Sequence, residues 1–229
     1  MITKAKLSYV TICIGILSLI FCGELFSQFS WGFYGGVSST NLAGDGIGMA
    51  VYRPGVGWNA GIIAVFPVTD DVAFSVRPGI IFNSLRVQTA DTLQLKFKTK
   101  LEYRDSVKLN LNSINLPVLV RVTTDNKKFQ FTSGIELAYL YSARWNNGSE
   151  KINVRSQMDN FNISLVFGVG YIIPIKSTRL TLDVLYTQGI RNISASSADQ
   201  SVLPRIKTKG FRLNILWTCP LQKTSLGQK

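Results

Sequence analysis

Apolar side chains alternate with small or polar side chains along most of the chain. In the segment 161–173 every odd position is apolar, whereas the even positions are mostly small or polar, as at Asn162 and Ser164. Segments 180–187 and 211–217 repeat this alternation. A period of two is typical of β-strands whose two faces meet different surroundings, so the sequence predicts an all-β protein.

Eight segments of this kind can be placed along the chain. They lie near 32–41, 55–67, 72–88, 106–123, 128–143, 159–174, 178–191 and 205–219. Long connections (42–54, 89–105, 144–158 and 192–204) alternate strictly with short ones (67–71, 124–127 and 174–177). Outer-membrane barrels combine short periplasmic turns with longer outer loops. We therefore predict an eight-stranded antiparallel up-and-down transmembrane β-barrel, located in the outer membrane of a Gram-negative cell.

Hydrogen bonding explains why such strands must close into a barrel. In hydrocarbon every backbone donor and acceptor needs an internal partner, so the apolar alternates should face lipid and the small or polar ones the lumen. Eight strands leave an interior that side chains can fill, and glycines at 61, 79, 134, 168 and 170 suit so narrow a lumen. Aromatic residues should form two interfacial girdles. The periplasmic one is predicted from Trp31, Phe66, Phe74, Phe129, Tyr171 and Trp217, and the outer one from Trp58, Phe82, Tyr139, Tyr141, Phe161 and Tyr186.

The fourth segment departs from the simple alternation. Leu109 and Leu111 are apolar at odd positions, whereas the apolar residues from Ile114 onward stand at even ones. This change of parity predicts a β-bulge near Asn112 and Ser113. Pro117 falls on the inward face, where its missing N–H should disturb the ladder.

The N-terminal region is typical of a secretory signal peptide, with lysines at 4 and 6 before an apolar run. We expect residues 1–28 to be a cleaved signal peptide, 29–221 the barrel and 222–229 a short periplasmic tail. An uncleaved membrane anchor is the alternative for the first segment, and a lipoprotein is disfavoured because Phe21 precedes Cys22. The mature chain would keep one thiol, Cys219, which cannot form an internal disulfide.

The side-chain inventory argues against catalysis. The chain contains no histidine, on which outer-membrane proteases and lipid deacylases of barrel type depend as a base. No Ser–His pair, metal-ligand cluster or phosphate-binding loop can be found, and the glycine-rich stretch 44–48 lacks the strand-to-helix context of a nucleotide loop. We therefore expect no enzyme activity, no catalytic or metal-binding residues and no cofactor.

Five charged residues fall on predicted lumen positions: Arg77, Arg121, Glu136, Asp183 and Arg212. Opposite charges inside a narrow lumen should pair, because an isolated buried charge is very costly. We expect Asp183 and Arg212, on neighbouring strands at similar heights, to form such a pair. The alternative is that these charges form a proton path or a selectivity filter.

The outer ends of the strands are basic, in a chain of formal net charge +12. The predicted outer rim comprises Lys96, Lys98, Lys100, Arg104, Lys108, Lys151, Arg155, Arg205, Lys207 and Lys209. Such a rim suits the anionic sugars and phosphates of an outer leaflet, including lipopolysaccharide; solvated charge that only confers solubility is the alternative. We expect membrane lipid as a partner, a monomeric barrel and no nucleic acid.

Several stretches resemble PorT-like outer-membrane barrels of Bacteroidota. The resemblance is carried by Leu111–Arg121, with its isoleucine, leucine and proline at 114, 116 and 117, by Trp31–Gly36, by Tyr186–Ile193 and by a leader ending in Ser27–Gln28. It spans nearly the whole mature chain and transfers no functional residue.

Two functions follow as expectations. The resemblance implies a non-enzymatic barrel with a structural or assembly role, in particular as an accessory of the type IX protein-secretion and gliding machinery. The alternative is a small ligand-binding or transport barrel, with either a narrow pore or an outer rim that binds anionic glycolipid.

Overall fold

The computed structural model describes residues 29–44, 50–90, 103–146, 151–191 and 206–220. The predicted signal peptide and C-terminal tail lie outside these ranges, as do the tips of the long loops. The strands are β1 Ser30–Gly44, β2 Ala50–Arg53, β3 Gly55–Pro67, β4 Val72–Val76, β5 Gly79–Ala90, β6 Tyr103–Thr123, β7 Phe129–Asn146, β8 Lys151–Asn153, β9 Phe161–Ile175, β10 Thr178–Gly189 and β11 Ile206–Pro220. A 3-10 turn at Arg155–Gln157 is the one helical element in the described part.

These strands form a closed antiparallel ring. Around the ring β1 is followed by β3, by β4 and β5 in line, and then by β6, β7, β9, β10 and β11. β11 pairs with β1 from Ser30 opposite Pro220 to Gly44 opposite Ile206, which closes the ring. Counting β4 and β5 as one, the barrel has eight strands, as predicted. The short strands β2 and β8 extend the outer ends of β5 and β7. No helix among the described residues is long and apolar enough to cross a membrane.

The third predicted strand is interrupted at Arg77 and Pro78. The register with β6 is the same on both sides of the interruption, from Val76 opposite Val118 to Gly79 opposite Asn115. The Arg77 N–H donates to the Pro117 carbonyl at 3.0 Å, but Pro117 has no N–H with which to complete the pair.

A lumen side chain replaces the missing bond. The Tyr34 hydroxyl, from β1, donates to the Arg77 carbonyl at 3.2 Å in a buried position. Tyr34 therefore supplies the hydrogen bond that Pro117 cannot make. Its side chain reaches across β3 over Gly61 and Gly79, where an added Cβ would collide with the Tyr34 ring or hydroxyl.

The outer surface carries a continuous apolar band. Along β9, Phe161, Leu165 and Phe167 are exposed, whereas Ser164 and Val166 between them are buried. Directly paired aromatic residues mark both edges of the band. Trp58 stacks on Phe82 with ring centroids 4.2 Å apart, Tyr139 contacts Phe161 and Tyr186 contacts Phe211 at the outer edge, and Phe129 contacts Tyr171 at the periplasmic edge.

A separate apolar core lies at the outer end of the barrel. Leu42, Leu85, Leu109, Leu111 and Ala143 are buried there, with Leu140, Trp145, Val154 and Met158 packed against them. The leucines at 109 and 111 therefore point inward, on the same side of β6 as Asn115.

The expected change of inward parity within β6 is wrong, as the burial of Leu109 and Leu111 in this core shows. The register does shift at Asn112 and Ser113, as predicted, but the extra residue is Tyr141 of β7. β6 keeps one inward parity throughout, because its leucines face an apolar interior above the membrane band and not lipid.

Candidate functional site

The middle of the lumen is crossed by a buried ion pair. Arg77 Nη1 lies 2.6 Å from Asp183 Oδ2, and the two side chains are 2% and 0% exposed. Arg77 stands on the β4–β5 junction and Asp183 on β10, so the pair joins distant strands of the ring. Removal of either partner would leave an uncompensated charge in a medium where that is strongly unfavourable.

A second ion pair lies nearer the outer end. Arg212 of β11 donates two hydrogen bonds to Glu136 of β7, at 2.5 and 2.6 Å, in a bidentate arrangement. The Asn115 amide donates to the same carboxylate at 3.2 Å. Beside this pair, the Asn59 amide donates to Asn214 at 2.7 Å. Three further polar side chains, those of Asn59, Asn115 and Asn214, therefore lie in this section of the lumen.

The expected pairing of Asp183 with Arg212 is wrong. Asp183 lies opposite Asn214 in the β10–β11 ladder, and Arg212 lies opposite Leu185, one inward position farther out. A diagonal contact along the wall would have been within reach of an arginine. In so narrow a lumen, however, Arg77 and Arg212 each reach a carboxylate on a strand that is not adjacent to their own.

Arg121 occupies the periplasmic part of the lumen and has no carboxylate partner among the described residues. Its guanidinium donates to the Gln130 side-chain oxygen. Gln130 is 1% exposed and lies against Gly170, where an added Cβ would meet the amide. Among the five charges, three guanidinium groups face two carboxylates, which leaves one positive charge.

Above the second ion pair the lumen opens into a small cup lined by both polar and apolar side chains. Its cavity measures about 80 Å³, which is room for a few water molecules. Arg212 and Glu136 lie at its base. The polar residues of its wall are Thr40, Asn83, Ser113, Asp159, Asn162, Ser164, Thr187 and Thr208. Asn162 donates to Thr208 at 2.9 Å, and its own side-chain oxygen is buried and accepts no hydrogen bond from any described residue.

The predicted basic rim is only partly within the described residues. Lys96, Lys98, Lys100 and Arg205 lie outside them, and Arg104 is placed in β6 by its backbone alone. Lys108, Lys151, Lys207 and Lys209 are exposed at the outer ends of their strands.

Arg155 differs from the other rim residues because it contacts the barrel wall. It donates to the Tyr139 hydroxyl at 2.7 Å, with its guanidinium carbon 5.7 Å from the centre of that ring. The sequence reasoning missed four further outer cations, Arg53, Arg86, Arg144 and Arg191. The sequence signal for these cations was that they stand at outward-facing positions beyond the aromatic girdle.

The chemistry that these residues offer is ionic and hydrogen-bonding. In the described part of the chain no three His, Cys, Asp or Glu side chains are grouped as metal ligands. Cys219, partly exposed, sits at the periplasmic end of β11 and has no acid–base partner in the described residues.

The chain is similar to several solved outer-membrane barrels. The attachment invasion locus protein Ail of Yersinia pestis is 10% identical with a TM-score of 0.41, over 83% of this chain and 99% of Ail. Neisserial surface protein A is 14% identical with a TM-score of 0.46, over 82% and 96%. OprG of Pseudomonas aeruginosa is 12% identical with a TM-score of 0.40, over 86% and 96%. No curated protein sequence matches the chain.

A family profile assigns the chain to a protein family, which these distant structural similarities do not do. The profile described as outer membrane protein beta-barrel domain matches residues 26–195, a range that contains seven of the eight strands of the ring. The match agrees with the closed ring, the apolar band and the paired aromatic girdles. The chain therefore belongs to the outer membrane protein β-barrel domain family and is a barrel of the outer membrane.

Proposed function

We propose that this protein is a closed, non-enzymatic outer-membrane barrel with a structural or assembly role. The observation that carries the proposal is the pair of buried salt bridges, Arg77–Asp183 and Arg212–Glu136, that cross the lumen between distant strands. Each of these four charged groups is compensated by an oppositely charged partner on another strand, which fixes the side chains in place across the lumen. A conducting pore would instead keep its charged groups in contact with water.

The apolar core at the outer end supports the same role. Leu85 and Ala143 are completely buried above the ion pairs, where an aqueous pathway would need polar walls. Ions would have to pass the ion-paired layers, and an isolated charge next to the apolar cluster is unfavourable.

Planar-bilayer recording tests the closed lumen. We expect purified wild-type protein to give no steady ion-conducting steps. The variant with Arg77→Ser, Asp183→Ser, Glu136→Ser and Arg212→Ser should conduct, since both ion pairs are removed together. A Lys207→Gln/Lys209→Gln variant, altered only at the exposed rim, is the matched control and should stay silent. Steady steps from the wild type would contradict the proposal.

The finer assignment, an accessory of type IX secretion and gliding, is supported by the resemblance to PorT-like barrels. Its test is a deletion strain whose secreted and surface proteins are compared with those of the parent. Loss of the secreted set, restored by the wild-type gene, is expected. An unchanged set would exclude the secretion role and leave the closed barrel untouched.

The rival is a small ligand-binding or transport barrel, and the cup above Arg212 is the feature that favours it. At about 80 Å³ the cup is far below the roughly 300–1,000 Å³ typical of ligand pockets. We therefore favour the closed structural barrel.

A further inference from the structure

Four exposed cations stand in one row across the outer extension of the sheet. Arg53 of β2 is directly opposite Arg86 of β5, and Arg86 is directly opposite Lys108 of β6. Lys108 is in turn opposite Asn146 of β7, which is opposite Lys151 of β8. Directly opposed residues share a face of the sheet, so the row presents four cations and one amide on the same side. We call Arg53, Arg86, Lys108 and Lys151 the cation row.

The cation row lies on the outside of the barrel. All four side chains are exposed, whereas Leu85 and Leu109, next to two of them in sequence, are buried in the outer apolar core. The extension is therefore amphipathic, with leucines inside and cations outside. Strands lie about 4.8 Å apart, so a row across five strands spans roughly 19 Å.

This arrangement is electrostatically unfavourable without an anion. Like charges directly opposite one another destabilise a strand pair, and the row contains two such contacts, Arg53–Arg86 and Arg86–Lys108. None of the four ion pairs among the described residues includes a member of the row. No position of the row carries a carboxylate.

The height of the row identifies the kind of anion. Phe82, stacked on Trp58, marks the outer edge of the apolar band, and Arg86 follows it by four residues on the same face. At roughly 3.3 Å per residue this is about 13 Å along a tilted strand. A headgroup layer lies just outside the hydrocarbon, and arginine and lysine side chains can bend toward it.

We propose that the cation row binds the phosphate groups of a phosphorylated glycolipid in the outer leaflet. Guanidinium groups bind phosphate through paired hydrogen bonds, and lysine supplies a further point charge. The width of the row accommodates two phosphates on one headgroup. This site goes beyond the closed-barrel function and does not depend on it, since it lies on the outer wall and not in the lumen.

Thermal unfolding in uncharged detergent tests the site, with the folded barrel followed by its faster migration on gels. Bisphosphorylated lipid A added at saturation should raise the unfolding midpoint of the wild type by about 5 °C, because a ligand that binds only the native state stabilises it. Lipid A without phosphates should have little effect. The Arg53→Gln/Arg86→Gln/Lys108→Gln/Lys151→Gln variant should lose the shift and, without lipid, should unfold at a slightly higher temperature than the wild type.

Two controls make the result specific. The Lys207→Gln/Lys209→Gln variant removes two outer cations elsewhere on the rim and should keep the full shift. Inorganic pyrophosphate at matched phosphate concentration should produce less than a third of it. An undiminished shift in the cation-row variant, an equal shift with phosphate-free lipid A, or an equal shift with pyrophosphate would each overturn the proposal.

Discussion

Four of the five charged residues of the lumen are paired across the barrel and not along its wall. Arg77 and Asp183 are completely desolvated, and Arg212 holds Glu136 through two bonds. Parity along the strands placed all five charges on inward positions, but their partners depend on how the eight strands are staggered around the ring. The stagger is set by register over the whole sheet, which no single segment encodes. For this reason the wrong partner was expected for Asp183.

Removal of one member of the Arg77–Asp183 pair should be far more harmful than removal of both. We expect Arg77→Leu to lower the free energy of unfolding by about 3–5 kcal/mol, because it leaves the Asp183 carboxylate buried and unpaired. The Arg77→Leu/Asp183→Leu double variant should lose much less. Urea unfolding from lipid vesicles, followed by tryptophan fluorescence, measures both. A double variant that loses as much stability as Arg77→Leu, or more, would mean that the two residues are not coupled.

At the level of elements, the strand pattern is legible because lipid and lumen demand different side chains. β3 begins and ends at the predicted residues, and the three short turns and the closing strand lie where alternation indicated. The pattern was misleading in β6, where Leu109 and Leu111 face an apolar interior. Within the membrane band the apolar side chains face outward, but above it they face the interior. The outward positions there carry charged residues such as Arg86 and Lys108.

A cation within the apolar band should block assembly of β11. Leu213 is half-exposed to lipid, between Val37 of β1 and Val184 of β10. Leu213→Arg should cost about 2–4 kcal/mol near the middle of the membrane and should abolish the heat-modifiable folded form in outer-membrane fractions. Lys209→Arg, on the same face of the same strand but beyond the band, should assemble normally. A folded Leu213→Arg barrel at wild-type levels would show that this face does not meet lipid.

At the scale of the whole molecule, the two ends of the barrel differ in chemistry. The turns at 67–71 and 124–128 are tied together by Lys127, which donates to the Asp70 carbonyl at 2.8 Å and pairs with Asp71. The opposite end carries the long connections and the outer cations. This asymmetry assigns the short turns to the periplasm and the cation row to the cell surface.

Site-directed labelling should report this orientation. In a Cys219→Ser background, Lys207→Cys should react with a membrane-impermeant maleimide on intact cells. Asp125→Cys, in an exposed turn at the other end, should react only after the outer membrane is permeabilised. The reverse order of reactivity would mean that the barrel is inserted the other way round.

The seam between β1 and β11 also governs how the barrel can come apart. Each of these strands contributes fifteen residues to it, and they lie at opposite ends of the fold in sequence. Opening the seam in hydrocarbon would strip two long edges of their backbone partners at once, and unpaired groups there are strongly unfavourable. Partial opening is therefore suppressed, and unfolding becomes an all-or-none event with a high barrier. The same seam makes folding slow, because the most distant contacts in the chain must form before either edge is protected. The folded barrel is therefore stabilised kinetically, by a high barrier to unfolding, as well as by the strength of its contacts.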